Sequence, residues 1–270
     1  MSKIGLGVIT CNRENFYKEC YKSIPLDVID TLVTINDGEK LKGTYPKSHI
    51  ITHKKNKGVG ISKNEAMQYL LDEGCEHIFL IEDDIIVKDK TIFEKYIEAS
   101  EITGLRHFMF GYHGPANKDQ FKKPKPDLLV DYTPELRVAF NTHCVGALCY
   151  YHKTVLDDVG LMDEEYKNAW EHVDHSYCIV KKGWIPAYWY WPDIANSYDY
   201  LDELACSEEV EHGAIRNRSD WQQNIQTGAE HFIDKHGTYP GGPQGVPREP
   251  EASVVNKLKQ IKEKYSCNEV

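Results

Sequence analysis

The chain has 270 residues, 41% apolar and 27% charged, proportions that suit one large globular domain or one domain with an appendage. Its net charge of −10 excludes a general electrostatic grip on nucleic acid and leaves only local basic patches, at Lys54, Lys55 and Lys57 and at Lys122, Lys123 and Lys125. No apolar run approaches membrane-spanning length, and the one that ends at Thr10 is too short for a secretory leader. The eight cysteines form no Cys-x-x-Cys pair. Cys11, Cys144, Cys149 and Cys178 lie in apolar or strand-like contexts, the pattern of a reduced, cytosolic protein. In that setting the glycosylation sequon Asn217-Arg218-Ser219 reads as a chance match.

The first half alternates strand and helix signals. Residues 4–10 read as a strand and 14–23 as a helix. A second strand, 31–36, is closed by Asp37-Gly38, and a short third strand lies around Ile50 and Ile51. Gly58 and Gly60 open a helix through Leu71, with Ile61, Ala66, Met67, Leu70 and Leu71 available for its buried face. A strand ending at residue 81, a helix over about 90–100 and a strand at 107–110 follow. Such alternation predicts a mixed, mainly parallel sheet flanked by helices, an α/β architecture. Beyond Gly111 the pattern breaks: 111–126 reads as a loop carrying Gly114, Pro115, Pro124 and Pro126. A strand at 145–151, a helix at 171–182 and a strongly aromatic strand at 185–191 come next. Residues 237–250 are too rich in Gly and Pro for regular structure. The last predicted element is a short basic amphipathic helix with Val254, Val255, Leu258 and Ile261 on one face, expected to dock on the body of the protein.

One stretch carries chemistry on its face. Ile78-Phe79-Leu80-Ile81 has the composition of a buried parallel strand and runs directly into Glu82-Asp83-Asp84. Three carboxylates in a row at a strand end repel one another unless compensated. Divalent cations, which take hard oxygen ligands, are the usual compensation. The C-terminal edge of a parallel sheet is also where open α/β folds bind ligands.

Five patches, in order, resemble the GT-A fold nucleotide-sugar glycosyltransferases of the family 2 type. Val8-Ile9-Thr10-Cys11-Asn12-Arg13 resembles the first-strand motif ending in Thr-Tyr-Asn-Arg. Ile35-Asn36-Asp37-Gly38 resembles the second-strand Asp-Asp-Gly. Asn56-Lys57-Gly58 through Ser62-Lys63-Asn64 is similar to the Asn-x-Gly…Ala-Arg-Asn segment beside the donor. Glu82-Asp83-Asp84 stands at the DxD-type metal motif. The stretch 159–166 followed by Trp170-Glu171-His172-Val173-Asp174 resembles the region that supplies the base. Cys11 for the aromatic, Ser62-Lys63 for Ala-Arg, and His172 for the Asp of a Glu-Asp pair are departures.

The resemblance implies a GT-A, Rossmann-like domain over 1–205, a closing segment over 206–250 and an amphipathic helix over 251–270. It implies a nucleoside-diphosphate sugar donor, with a uridine nucleotide the commonest, held with Mn²⁺ or Mg²⁺. Thr10, Asn12, Arg13, Asp37, Asn56, Gly58, Lys63, Asn64, Glu82, Asp83 and Trp170 would line the donor site. Asp84, supported by Asp83, would ligate the metal. His212-Gly213-Ala214-Ile215-Arg216 resembles a segment that closes over the diphosphate, with His212 as a further metal ligand and Arg216 on phosphate; His231 is the alternative imidazole. Glu171, His172 and Asp174 are the candidates for the base that deprotonates the acceptor hydroxyl, Glu171 narrowly preferred on the family's habit. Gly146 is compatible with close approach of a ligand. The acceptor is a glycan, a lipid-linked glycan or another hydroxyl-bearing molecule; the lysine clusters keep anionic acceptors, including a modified nucleic-acid base, in view. Peripheral membrane attachment through the C-terminal helix is compatible with its charge. Two other functions fit the same sheet: a nucleotidyltransferase making activated sugars, although residues 10–13 lack its glycine-rich loop, and a non-catalytic sugar-binding module.

Overall fold

The computed structural model describes residues 2–204, 219–241 and 244–266. Strand β1 (Ile4–Thr10) leads through helix α1 (Glu14–Ser23) to β2 (Thr31–Asn36) and β3 (Ser48–Thr52). Helix α2 (Val59–Asp72) returns the chain to β4 (His77–Glu82). These four strands lie parallel in the order β3-β2-β1-β4. Because the chain winds outward from β1 through β2 to β3 and then reappears on the other side of β1, the strand order reverses between β1 and β4. A reversal of that kind opens a crevice at the carboxyl ends of the two strands. Thr10 and Glu82 end those strands, and the amide of Asp83 donates to the Ile9 carbonyl (3.1 Å), locking the acidic run beside the β1 terminus.

The rest of the chain completes the sheet and covers it. A short β5 (Ile85–Val87), helix α3 (Thr91–Thr103) and β6 (His107–Met109) follow. Strands β7 (Leu128–Asp131) and β8 (Arg137–Asn141) form an antiparallel pair. Strand β9 (Leu148–His152) then inserts antiparallel between β4 and β6, so the sheet is mixed, as expected. Helix α4 (Lys153–Val159), helix α5 (Glu171–Lys181), β10 (Trp191–Ile194), β11 (Leu201–Glu203), helix α6 (Trp221–His236) and helix α7 (Glu251–Tyr265) complete the fold. Strand β10 pairs with β8, and β11 pairs antiparallel with β5. No helix among the described residues is long and apolar enough to cross a membrane.

One element departs from expectation. The aromatic run predicted as a strand over 185–191 is irregular until Trp191, and Trp189 takes a left-handed φ of 72°. Its polar tips explain why: Trp189 Nε1 donates to the Val246 carbonyl (2.6 Å), Tyr190 Oη to the Glu249 carbonyl (3.0 Å) and Tyr188 Oη to the Pro240 carbonyl. Each side chain that would have alternated across a pleat instead clasps the Gly/Pro-rich segment, satisfying carbonyls that no ladder could reach. Helices α4 and α6 and strands β5, β7, β8, β10 and β11 were not foreseen.

Helix α7 docks on the body as its apolar face predicts. Val254, Leu258 and Ile261 are buried in the same core as Phe93, Tyr96 and Leu105, and Val255 is half-buried. Tyr265 stacks on Trp184 with centroids 4.0 Å apart, and Arg106 Nη2 donates to the Tyr265 carbonyl (2.7 Å). Truncating a core leucine leaves a cavity that its neighbours fill only in part. Leu258→Ala is therefore expected to lower unfolding free energy by about 2–5 kcal/mol in denaturant titrations, whereas the same change at a solvent-facing position of α7 leaves it within about 0.5 kcal/mol.

Candidate functional site

Asp83 and Asp84 form the turn between β4 and β5 and are both buried. Thr10 Oγ1 donates to Asp83 Oδ2 (2.7 Å); Arg13 Nε reaches the same oxygen (3.3 Å) and its Nη2 pairs with Oδ1. Arg13 Nη1 lies 3.6 Å from Asp84 Oδ2, so one guanidinium spans both carboxylates. Thr10, Arg13, Asp83 and Asp84 thus meet at one corner. Burial drives the Asp83 carboxyl up to about 7; Arg13 opposes the rise and the Asp84 charge adds to it.

Among the described residues, a side chain that sequence reasoning overlooked brings an imidazole to this corner. His113, in the loop after β6, has its Nε2 buried without a hydrogen bond, 3.4 Å from Asp84 Oδ1 and 3.6 Å from Glu203 Oε2. Glu203 arrives because β11 pairs with β5 opposite Ile85, and the Leu204 amide donates to the Asp84 carbonyl (2.7 Å). The same carboxylate accepts from the Gly114 amide (2.6 Å) and from Lys118 Nζ (2.7 Å), which holds the 111–126 loop over the corner. Burial disfavours the charged imidazole, yet Asp84, with Glu82 and Glu203 behind it, outweighs burial and keeps the His113 pKa above its ordinary value. Two carboxylates and an orphaned imidazole nitrogen at one buried corner suit a divalent cation, with the nitrogen favouring Mn²⁺ over Mg²⁺. No local pattern distinguished His113 among twelve histidines. The predicted ligand His212 and the predicted phosphate contact Arg216 lie outside the described residues. The alternative His231 is engaged elsewhere, with Nε2 3.0 Å from Asp163 Oδ2.

Several residues expected at the donor site make hydrogen bonds within the protein. Asp37 is buried, and its carboxylate accepts from Asn56 Nδ2 (2.7 Å), the Lys57 amide (2.7 Å) and the Gly58 amide (2.8 Å), with His53 Nδ1 at 2.7 Å. These four partners make it the anchor of the 56–58 loop. Asn12, at a left-handed φ of 57°, accepts from the Glu39 amide (2.7 Å) and pins the same loop. Gly58 has φ 99°, and a Cβ there would stand 2.4 Å from the Lys167 carbonyl oxygen, so Asn56 and Gly58 shape backbone. Asn64 exchanges hydrogen bonds with the Met162 backbone, 2.8 Å each way, and is likewise structural. Trp170 Nε1 donates to the Ile225 carbonyl (3.0 Å), tying the indole to α6.

Lys63 lies between two carboxylates. Buried to 1% exposure, its Nζ lies 3.0 Å from Glu82 Oε1, 3.0 Å from the Gly146 carbonyl oxygen and 3.5 Å from Glu171 Oε1. Held so, it faces two carboxylates instead of a diphosphate. Glu171 opens α5 and is buried, and its Oε1 also meets His172 Nδ1 (2.9 Å). Burial pushes the Glu171 pKa up, but His172 and Lys63 outweigh it and bring it down to about 2. The His172 side chain keeps 23% of its surface exposed against 4% for Glu171. Asp174 does not join them. It is buried against α6, where Lys235 Nζ (2.8 Å), His236 Nε2 (2.6 Å) and Tyr166 Oη (3.2 Å) surround its carboxylate. Two residues beyond His172, Asp174 projects from a different face of α5 than His172 does and pairs with α6. The cluster Asp174, Cys178 and His236 has the spacing of a metal site, but Lys235, together with Lys181 on His236 Nδ1 (2.6 Å), already supplies positive charge there.

No protein-family model matches this chain, and no curated protein sequence does. Solved structures do share its architecture. It is similar to TarS of S. aureus (TM-score 0.52, 13% identity, 98% of this chain and 44% of that one). It is also similar to GalNAc-T7 in a crystal with UDP, GalNAc and Mn²⁺ (TM-score 0.55, 12% identity, 98% of this chain and 55% of that one). The chain therefore spans about half the length of these proteins. At such identities the likeness defines the fold: it is GT-A.

The acidic corner makes a signed prediction. An acid whose folded pKa is raised from 3.8 to about 7 contributes stability that is complete below the lower value and lost as pH rises through the upper one. A cation that binds the ionised corner restores it. Millimolar Mn²⁺ is expected to raise Tm more at pH 8 than at pH 6 in thermal scans, and Asp84→Asn to abolish the increment at both.

Proposed function

We propose that this protein is a metal-dependent glycosyltransferase that moves a sugar from a nucleoside-diphosphate sugar, with UDP the first nucleotide to test, onto an acceptor hydroxyl with inversion. The observation that carries this reading is the juxtaposition at one sheet edge of two elements. Asp83, Asp84 and His113 can hold a divalent cation, and the Glu171–His172 pair can take a proton. The GT-A fold, and the UDP, GalNAc and Mn²⁺ in the crystal of GalNAc-T7, support it.

The residues divide the work as follows. Asp84 and His113, backed by Asp83 and Glu203, would hold the cation, which as a Lewis acid stabilises the charge developing on the departing diphosphate. Arg13 keeps the Asp83–Asp84 turn in place. The acceptor oxygen attacks the anomeric carbon from the face opposite the diphosphate. As the new C–O bond forms, the bond to the phosphate oxygen breaks and the nucleoside diphosphate leaves with that electron pair. The hydroxyl proton must pass to a base within hydrogen-bond reach.

His172 fills that role better than Glu171. A carboxylate with a pKa of about 2 has little affinity for a proton and is buried. The His172 imidazole offers a ring nitrogen as proton acceptor and here retains exposed surface. Glu171 then orients the ring through Nδ1, leaving Nε2 for the acceptor, and its charge stabilises the imidazolium that forms. The free thiols of all six described cysteines support residence in a reducing compartment.

Donor hydrolysis in the presence of Mn²⁺, scored across a panel of nucleotide sugars, tests the reading. His172→Ala is expected to cut turnover by roughly 100-fold or more, and Glu171→Gln by about 10-fold because the ring keeps its hydrogen bond but loses the charge. In calorimetric titration, UDP binds only with Mn²⁺ present. Absence of nucleotide binding under every metal condition would remove the enzyme and leave a sugar-binding module.

A further inference from the structure

We propose that Lys63 is a positioning residue of the transfer reaction: a buried ammonium shared by Glu82 and Glu171 that governs how firmly Glu171 holds the His172 imidazole, and so ties the base to the strand end bearing the acidic corner. The inference rests on the reading of His172 as the proton acceptor.

Its basis is geometric. Glu171 Oε1 is contacted by two basic nitrogens, His172 Nδ1 at 2.9 Å and Lys63 Nζ at 3.5 Å. Lys63 also reaches Glu82 Oε1 at 3.0 Å, and Glu82 immediately precedes Asp83-Asp84 in the chain. Two positive groups on one carboxylate oxygen compete: whatever draws Lys63 toward Glu82 frees Glu171 to hold the imidazolium, and whatever releases Lys63 weakens that hold. Glycine at 146 keeps the competition possible. A Cβ there would stand 2.7 Å from His172 Cγ and 3.1 Å from Lys63 Nζ, in the gap where the two side chains approach. A buried, triply engaged lysine is a costly way merely to pin α2 to β4, since an apolar pair of similar volume commonly does that as well or better.

Among the described residues, two further titratable groups near the imidazole stay neutral. Burial pushes the Cys144 thiol, beside the His172 carbonyl at 4.0 Å, well up, so it stays neutral. Burial holds His107 of β6 down at about 3, also neutral near pH 7. Ser176, one turn along α5, bonds His107 Nε2 (3.2 Å). Charge reaches His172 from Glu171 and Lys63, with Glu82 behind them.

The test is NMR titration of the His172 ring in the full-length protein in metal-free buffer, its resonance assigned by loss in His172→Asn. Lys63→Met is expected to move the titration midpoint up by about one pH unit, and Glu82→Gln to move it down by a similar amount. A purely structural lysine would not shift the ring in opposite directions. Unchanged midpoints, or shifts of the same sign, overturn the proposal. Should Lys63→Met fail to fold, Glu82→Gln decides alone: a lowered midpoint supports the coupling and an unchanged one refutes it. Donor hydrolysis by His172→Ala separates the two claims. Full turnover there sinks the role of His172 as base while leaving the measured coupling intact. Lost turnover with unmoved midpoints sinks the role of Lys63 alone.

Discussion

Negative charge gathered at the buried end of β4 is the constraint around which this protein is arranged. Glu82, Asp83 and Asp84 occupy three consecutive positions where the sheet edge meets the covering loops. Isolated ionised carboxylates are expensive to desolvate. The structure answers with a separate cation for each side of the run: Arg13 across Asp83 and Asp84, and Lys63 on Glu82. Arg13 sits just past the β1 terminus and Lys63 in the second turn of α2, so the two elements flanking β4 are both committed to its charge. The oxygen-rich corner at Asp83 and Asp84, with His113 beside it, has the donor chemistry that suits a divalent ion.

The same economy links the corner to the base. Because Lys63 is shared with Glu171, the electrostatics of the β4 end and of the α5 start are not independent. Gly146 and Gly60 make the link sterically possible. A Cβ at Gly60 would lie 2.9 Å from the Tyr166 carbonyl oxygen and 3.4 Å from Glu171 Cβ, so the helix bearing Lys63 and the loop feeding α5 can touch only where side chains are missing. The Trp170 backbone, left-handed at φ 73°, turns the chain from that contact into α5.

The motifs locate segments of the fold; side-chain partners within them come from elsewhere in the chain. The segments around Thr10, Asp37, Asn56–Asn64, Glu82–Asp84 and Trp170–Asp174 all border the crevice or its walls. Inside them, Asp37, Asn12 and Asn64 hold loops, Lys63 faces carboxylates, and Asp174 turns to α6. A motif specifies which backbone passes the site. Whether a given side chain points at ligand or at protein depends on partners from elsewhere in the chain, as with Asn64 and the Met162 backbone.

What could be read from residue order alone is what local physics controls. The period-2 and period-3.6 apolar patterns, the glycines that open α2, the Gly/Pro density of 237–250 and the strand that ends in acids each depend on neighbours a few positions away. They placed the parallel half of the sheet, the buried stripe of α7 and the acidic corner. Tertiary structure alone decided which imidazole joins that corner, because His113 reaches Asp84 across 29 positions of chain and Glu203 only through the pairing of β11 with β5. It decided equally that His172 stays partly exposed while Glu171 is buried between two positive groups. Burial and long-range charge pairing, which set those roles, are properties of the packed chain and leave no periodic trace in the sequence.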